Sequence, residues 1–189
     1  MSLSYRAAPA VSTSGSTGQT TWAVSRQAGT VAGDWILIYV FGGTASMACT
    51  GFAAKPDANG FGGLLSRYAD GTEGTSFSIT GLAGNRVTAL IVTLAGGASV
   101  LDPAVIATPV SGGPASSVSV PSITLANNGD WLLWFCANQN GFSGAGYGIT
   151  PPSGFTSQGT NGAQVSNATV MPSGLNKSSG NLLIWGCLP

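Results

Sequence analysis

Apolar and polar residues alternate over short stretches of the chain, and clusters of Gly, Pro, Asn, Asp, Ser and Thr separate these stretches. No stretch of about eleven residues keeps the i, i+3, i+4 apolar spacing of an amphipathic helix before such a cluster interrupts it. The pattern therefore predicts strands. We place them at 21–26, 34–41, 47–52, 64–68, 75–80, 86–94, 116–125, 130–137, 146–149, 164–170 and 181–188.

The turns between these strands contain residues that adopt positive backbone φ angles. They are Asp70-Gly71, Asn128-Gly129, Asn140-Gly141 and Asn161-Gly162. Tight turns of this kind favour antiparallel hairpins over helical crossovers. We therefore predict an all-β, antiparallel β-sandwich.

The chain also contains an internal duplication. Gly33-Asp34-Trp35 opens the first copy, Gly129-Asp130-Trp131 opens the second, and a proline lies 23 residues after each opening glycine (56 − 33 and 152 − 129). Each copy then has a Gly-Phe pair and closes on Gly-Asn before an apolar strand. Two halves of similar strand order are the simplest account of this repeat.

We divide the chain accordingly. Residues 21–189 form the predicted sandwich, with half-units at about 21–95 and 116–189 joined by a Gly/Pro/Ser-rich crossover. Whether the halves make one sandwich or two domains stays open. Residues 1–20 are small and polar, and we predict an extended N-terminal arm that orders only against a neighbour.

The first duplicated strand is apolar on both of its alternating faces. Trp35, Leu37, Tyr39 and Phe41 lie on one face, whereas Ile36, Ile38 and Val40 lie on the other. One face of an antiparallel sheet normally meets water. Either the chain itself covers both faces, or Ile36, Ile38 and Val40 are a candidate interface strand for a second copy.

Charged residues are unusually few, at 6% against roughly 25% in a typical soluble domain. Six basic and six acidic residues cancel and are scattered, so no patch could neutralise several phosphates, and we expect no nucleic-acid partner. The longest apolar run, Trp35 to Phe41, is far shorter than the roughly 20 residues of a membrane-spanning helix, and no secretory signal is visible. The low charge favours a homo-oligomer.

The three cysteines, Cys49, Cys136 and Cys187, form no CxxC pair. Cys136 and Cys187 lie inside apolar runs. We interpret all three as buried free thiols of a protein made in a reducing cytoplasm. A disulfide between two of them is the alternative.

The residues needed for common catalytic sites are scarce. The chain has no histidine, and the nearest carboxylate pair, Asp70 and Glu73, lies in a hairpin turn. Asp34 and Asp130 follow a glycine at a strand start, where a carboxylate can cap turn amides. Calcium binding through Asp57, Asn59, Asp70 or Glu73 stays open, although no EF-hand spacing occurs. We expect no enzyme, no catalytic or metal site and no cofactor.

The loop 138–147 is where an exposed aromatic side chain is expected. Phe142 and Tyr147 are its candidate contact residues, and exposed rings of this kind can stack on sugars. Carbohydrate therefore stays open as a partner.

Several of these motifs resemble a known family. The Gly-Asp strand starts, the turn Pro151-Pro152-Ser153-Gly154-Phe155 and the hairpin Ala69 to Gly74 before a Thr/Ser-rich strand are similar to β-sandwich proteins of tailed phages. Those proteins serve as minor tail, head-decoration or other virion proteins. The resemblance covers roughly residues 30–189.

The resemblance implies a jelly-roll-like sandwich that assembles as an oligomer, with a trimer favoured, and binds the major capsid protein at the virion surface. Coiled-coil heptads and collagen-like repeats do not occur in the sequence, which favours a capsid decoration or cement protein over a tail fibre. The alternative is a phage tail or surface module that binds carbohydrate or a receptor.

Overall fold

A computed structural model of the chain describes residues 4–13, 18–56, 62–83, 87–96, 131–138, 156–157, 169–175 and 182–187. Regular structure within these ranges is entirely β, which confirms the predicted fold class. The strands are β1 (Ser4–Tyr5), β2 (Ala10–Thr13), β3 (Thr21–Ser25), β4 (Trp35–Phe41), β5 (Gly43–Cys49), β6 (Ala53–Pro56), β7 (Gly62–Tyr68), β8 (Ser76–Leu82), β9 (Thr88–Ala95), β10 (Trp131–Asn138), β11 (Thr156–Ser157), β12 (Thr169–Leu175) and β13 (Leu182–Cys187).

These strands form three sheets. The central sheet has the order β1-β9-β4-β7-β6, with β2 also paired to β9, and all its pairs are antiparallel. The cover sheet has the antiparallel order β3-β8-β5. The C-terminal sheet has the order β11-β12-β10-β13.

The core lies between the central sheet and the cover sheet. Ile38 of β4 stands opposite Ile91 of β9 and Leu65 of β7, and all three are buried. Ile79 and Phe77 of β8 join them from the cover sheet. Burial of each such side chain contributes roughly 1.5–3 kcal/mol, so this layer is a main source of stability.

Strand β4 is buried on both faces by its own chain. Ile36, Ile38 and Val40 lie in the core against the cover sheet, and Leu37 and Tyr39 on the other face are also buried. Of the two alternatives for this strand, the structure shows coverage by the chain itself, so Ile36, Ile38 and Val40 are not an interface strand. The cover sheet occupies the face that a second copy would have needed.

The N-terminal segment also departs from expectation. β1 and β2 are extended and pair with the edge of β9 in the same chain, and Arg6 N between them donates to Thr93 O at 2.9 Å. The prediction that this arm orders only against a neighbour is wrong for residues 4–13. The unpaired edge of β9 offers the hydrogen-bonding groups that the arm needs.

The duplicated segments lead into comparable central strands. β4 lies between β7 and β9, and β10 lies between β12 and β13. The strands that close the two copies run in different directions, because β9 is antiparallel to β4 whereas β13 is parallel to β10. The sequence repeat therefore does not extend to strand direction.

Candidate functional site at the Asp34 end of the central sheet

The turn before β4 is held by the carboxylate of Asp34. Val31 N donates to Asp34 Oδ2 at 2.9 Å, and Asp34 N donates to Val31 O at 3.2 Å. The predicted capping role is thus confirmed for Asp34. Its sequence equivalent, Asp130, lies outside the described residues.

The same carboxylate binds the N-terminal segment. Arg6 Nε lies 3.0 Å from Asp34 Oδ2, and Arg6 NH2 lies 2.6 Å from Oδ1. The Asp34 side chain is 1% exposed, whereas that of Arg6 is 35% exposed. Hydrogen bonding to Asp34 raises the pKa of the Arg6 guanidinium. The pair fixes the chain before β2 against the turn before β4.

The hairpin 69–75 is held by two more carboxylates. Glu73 accepts from Asp70 N at 2.7 Å and from Gly71 N at 3.0 Å, and its side chain is fully buried. Asp70 Oδ1 accepts from Thr72 N at 2.8 Å and from Thr72 Oγ1. The bonds from Thr72, followed by the charge and hydrogen bond of Arg67, lower the pKa of Asp70.

These contacts give the hairpin a structural role. A general acid needs a carboxyl whose pKa is raised, and Asp70 shows the opposite direction. Both carboxylate oxygens of the buried Glu73 accept hydrogen bonds from turn amides. Glu73 Oε1 also forms an ion pair with Arg67, whose Nε lies 3.2 Å from it. Asp70 and Glu73 therefore stabilise the hairpin turn in which the sequence places them.

Arg67 connects the hairpin to the turn after β5. Its NH2 lies 3.1 Å from Asp70 Oδ2, and its guanidinium packs directly over Gly51, where a Cβ would collide with NH1. The neighbouring Cys49 is a buried free thiol, as predicted. Burial raises the pKa of this thiol, and the charge of Arg67 partly opposes the rise.

The turn 31–34 and the hairpin 69–75 are bound to each other. Gly33 N donates to Ala69 O at 2.9 Å, and Ala69 N donates to Asp34 O at 2.8 Å. A Cβ on Gly71 would stand 3.5 Å from the Ala32 side chain, so these two positions are in contact distance. Both loops therefore form one rigid end of the central sheet.

Two apolar side chains project from this end. Val31 is 49% exposed and Tyr68 is 38% exposed, and the Tyr68 ring stacks edge-on against Trp35 with centroids 5.2 Å apart. We call this region the Tyr68 surface. It consists of Val31, Ala32, Gly33, Tyr68 and Gly71.

The Tyr68 surface presents exposed apolar side chains on a hydrogen-bonded backbone. Its aromatic anchor is already ordered by Trp35, and its backbone is fixed by hydrogen bonds, so little conformational entropy is lost on binding. Sequence reasoning missed this surface. Tyr68 gave no signal beyond its place at the end of a strand, since its exposure depends on where the turn 31–34 lies.

The remaining predicted contact residues cannot be placed on it. Phe142 and Tyr147 lie outside the described residues, as do Asp57 and Asn59 of the calcium alternative. Among the residues that the structure describes, no group of three or more His, Cys, Asp or Glu side chains is arranged to hold a metal ion. The described part of the chain also contains no helix long and apolar enough to cross a membrane.

No protein-family model, no curated protein and no solved structure matches this chain.

Proposed function

We propose that this chain is a structural protein of a phage particle, a decoration protein that binds the outer surface of the head and stabilises it. Its partner is the major capsid protein, and the chain acts as a homo-oligomer, with a trimer favoured. The Tyr68 surface carries the contact with the shell. The resemblance to tailed-phage virion β-sandwiches and the β-sandwich fold both support this role.

The exposed, hydrogen-bonded Tyr68 surface is the structural observation that supports the proposed contact most directly. Tyr68 and Val31 are two of the three large apolar side chains exposed among the described residues. Both lie at the end of the central sheet where the turn 31–34 is hydrogen-bonded to the hairpin 69–75. Two ion-paired carboxylates, Asp34 and Glu73, fix the loops beneath them. Protein interfaces take most of their binding energy from a few ordered anchors of this kind.

The outer face of the cover sheet supports the same role. Its exposed positions carry small uncharged residues, so neighbouring copies on a crowded shell meet neither like charges nor long side chains that lose entropy. These positions include Thr21, Ala23, Ser25, Ala48, Ser76, Ser78 and Thr80.

A contact made through one Tyr68 surface is expected to be weak, because this surface offers only two large exposed apolar side chains. An oligomer on a repeating capsid lattice presents several Tyr68 surfaces at once, and linked contacts gain affinity by effective concentration. A stable trimer in solution therefore supports decoration, whereas a monomer in solution that also fails to bind particles contradicts it.

The experiment uses particles of the phage that encodes the chain, prepared with this gene deleted. We expect the purified full chain to bind the particles at a fixed number of copies per capsid subunit and to raise their melting temperature by several degrees, roughly as saturating ligands do. Val31→Ser and Tyr68→Ser are expected to weaken binding roughly tenfold or more. Circular dichroism checks that each variant is folded.

Val11→Ser is the matched control. Val11 is the third large apolar side chain exposed in the described residues, and it lies on β2, separated from β7 by β9 and β4. The same change there is expected to leave binding unaltered. If Val11→Ser and Val31→Ser weakened binding to the particles equally, the assignment of the Tyr68 surface as the contact would be overturned. If the unmodified chain did not bind the particles, the decoration role would be overturned.

The carbohydrate-binding alternative is tested in parallel on a polysaccharide pull-down. Saturable binding that is lost in a Phe142→Ala, Tyr147→Ala variant, together with no binding to particles, would replace the decoration role with a receptor-binding role.

A further inference from the structure

Cys136 and Cys187 occupy opposite positions on neighbouring strands. β10 and β13 are parallel, and their register runs without a shift from Trp131 opposite Leu182 to Cys136 opposite Cys187. Fifty-one positions separate the two cysteines in sequence (187 − 136). The sheet therefore brings together two cysteines whose spacing in the sequence gave no reason to pair them.

This placement fits the backbone requirement of a disulfide. Neighbouring strands lie about 4.7–4.9 Å apart, and disulfides join Cα atoms about 4.4–6.8 Å apart. Residues directly opposite each other in a sheet belong to the same face, because the pleat of adjacent strands is in phase. No backbone movement is needed to bring the two positions within range.

In the first copy of the internal duplication, the positions that correspond to the two cysteines share one face of the sheet. The copies are offset by 96 residues (129 − 33 and 180 − 84), so Cys136 corresponds to Val40 and Cys187 to Ile91. Val40 and Ile91 both lie in the buried cluster between the central sheet and the cover sheet. The corresponding positions of the first copy thus both face its core.

We propose that Cys136 and Cys187 form a disulfide that links β10 to β13 when the protein meets an oxidising environment, while Cys49 stays a thiol. The disulfide joins the last described strand to the middle of its sheet. It would be absent during synthesis in a reducing cytoplasm, and it would form in the presence of a small-molecule disulfide such as oxidised glutathione.

The exchange proceeds in two balanced steps. The Cys136 thiolate attacks one sulfur of oxidised glutathione, forms a mixed disulfide and releases one glutathione thiolate. The Cys187 thiolate then attacks the Cys136 sulfur of the mixed disulfide and releases the second glutathione thiolate. Two protein thiols lose two electrons and two protons in total, and one glutathione disulfide becomes two glutathione thiols.

The test is a peptide map of the oxidised full chain. The protein is incubated with oxidised glutathione, denatured, alkylated with iodoacetamide and cut with trypsin. Cleavage after Arg86 and Lys177 places Cys136 and Cys187 in different peptides, 87–177 and 178–189, and Cys49 lies in a third. We expect the first two peptides to be disulfide-linked and Cys49 to be alkylated.

The oxidised protein is also expected to melt roughly 10 °C above the reduced protein, since the bond restricts a long loop of the unfolded chain. Cys136→Ser and Cys187→Ser are expected to abolish both the linked peptides and this difference, whereas Cys49→Ser keeps both. The map of the unmodified chain decides the matter even if a serine variant fails to fold. Three alkylated cysteines, a link that includes Cys49, or a link between two copies would overturn the proposal.

Discussion

Arg6 and Asp34 form a two-bond ion pair across 28 positions of sequence, with Arg6 NH2 at 2.6 Å from Asp34 Oδ1. Arg6 directly follows β1, and Asp34 is the last residue of the turn before β4. The pair therefore joins the outermost strand of the central sheet to the loop that supports the Tyr68 surface. Val31 N also donates to Oδ2 of Asp34.

The first prediction concerns the Arg6 side of this pair. Arg6→Met keeps most of the aliphatic stem but leaves the buried Asp34 carboxylate without its cation, which is the costly way to break such a pair. We expect the melting temperature to fall by roughly 5–10 °C. Amide hydrogen exchange should become faster in β1 and in the turn 31–34, and calorimetry with exchange mass spectrometry measures both.

The double variant Arg6→Met, Asp34→Asn is the control for this prediction. Asparagine removes the buried charge but keeps an oxygen that can accept from Val31 N. The double variant should therefore melt above the Arg6→Met single variant. A double variant that is less stable than the single variant would show that the charge of Asp34 is not the source of the loss.

Strand β4 illustrates what the sequence pattern could predict. The seven apolar residues Trp35–Phe41 are bounded by Asp34 and Gly42, and the observed strand begins one residue after the predicted start and ends where expected. Composition and local turn chemistry were sufficient here, because both the strand and its cap depend on neighbours in sequence. The carboxylate cap at Asp34 was predictable for the same reason.

Strands β1 and β2 show the limit of such reasoning. Ser4–Tyr5 and Ala10–Thr13 are short, are separated by the four residues 6–9, which include Pro9, and have no alternating apolar pattern of their own. They become strands because the edge of β9 is open, which is a property of the assembled sheet. The Tyr68 surface was unpredictable for a similar reason, since it depends on the approach of two loops that are distant in sequence.

The second prediction concerns Gly81, where β8 passes a register shift in β5. Gly81 has φ +70°, and an added Cβ would collide with Ser46 O and stand 3.0 Å from Met47 Cα. Gly81→Ala should cost about 3 kcal/mol of unfolding free energy, from backbone strain and the steric clash together. Urea denaturation measures this value.

Gly18→Ala separates the two causes. Gly18 has φ +87°, but a Cβ there would meet nothing within 4 Å. The unfolding free energy of this variant should fall by about 1 kcal/mol, which is the cost of the left-handed backbone conformation alone. If Gly81→Ala and Gly18→Ala lowered the unfolding free energy equally, a clash with Ser46 and Met47 would contribute nothing to the loss at Gly81. The close approach of β5 to Gly81 would then be contradicted.

The third prediction concerns the pH dependence of stability through Tyr5. Burial in the edge strand raises the pKa of Tyr5 from 10.0 to about 12. Between these two values the unfolded chain loses the phenol proton while the folded chain keeps it, so the folded state binds more protons. The contribution of Tyr5 to stability is therefore complete below pH 10 and is lost as the pH rises from 10 to 12.

The loss should amount to roughly 1 kcal/mol of unfolding free energy per pH unit across this window, measured by urea denaturation at fixed pH. Tyr5→Phe keeps the ring and removes the ionisable group, so its stability should fall less steeply over the same range. Because every other titrating group is shared, the difference between the two slopes isolates Tyr5. Parallel curves for the two proteins would mean that Tyr5 ionises equally in both states, and would contradict its burial in the edge strand β1.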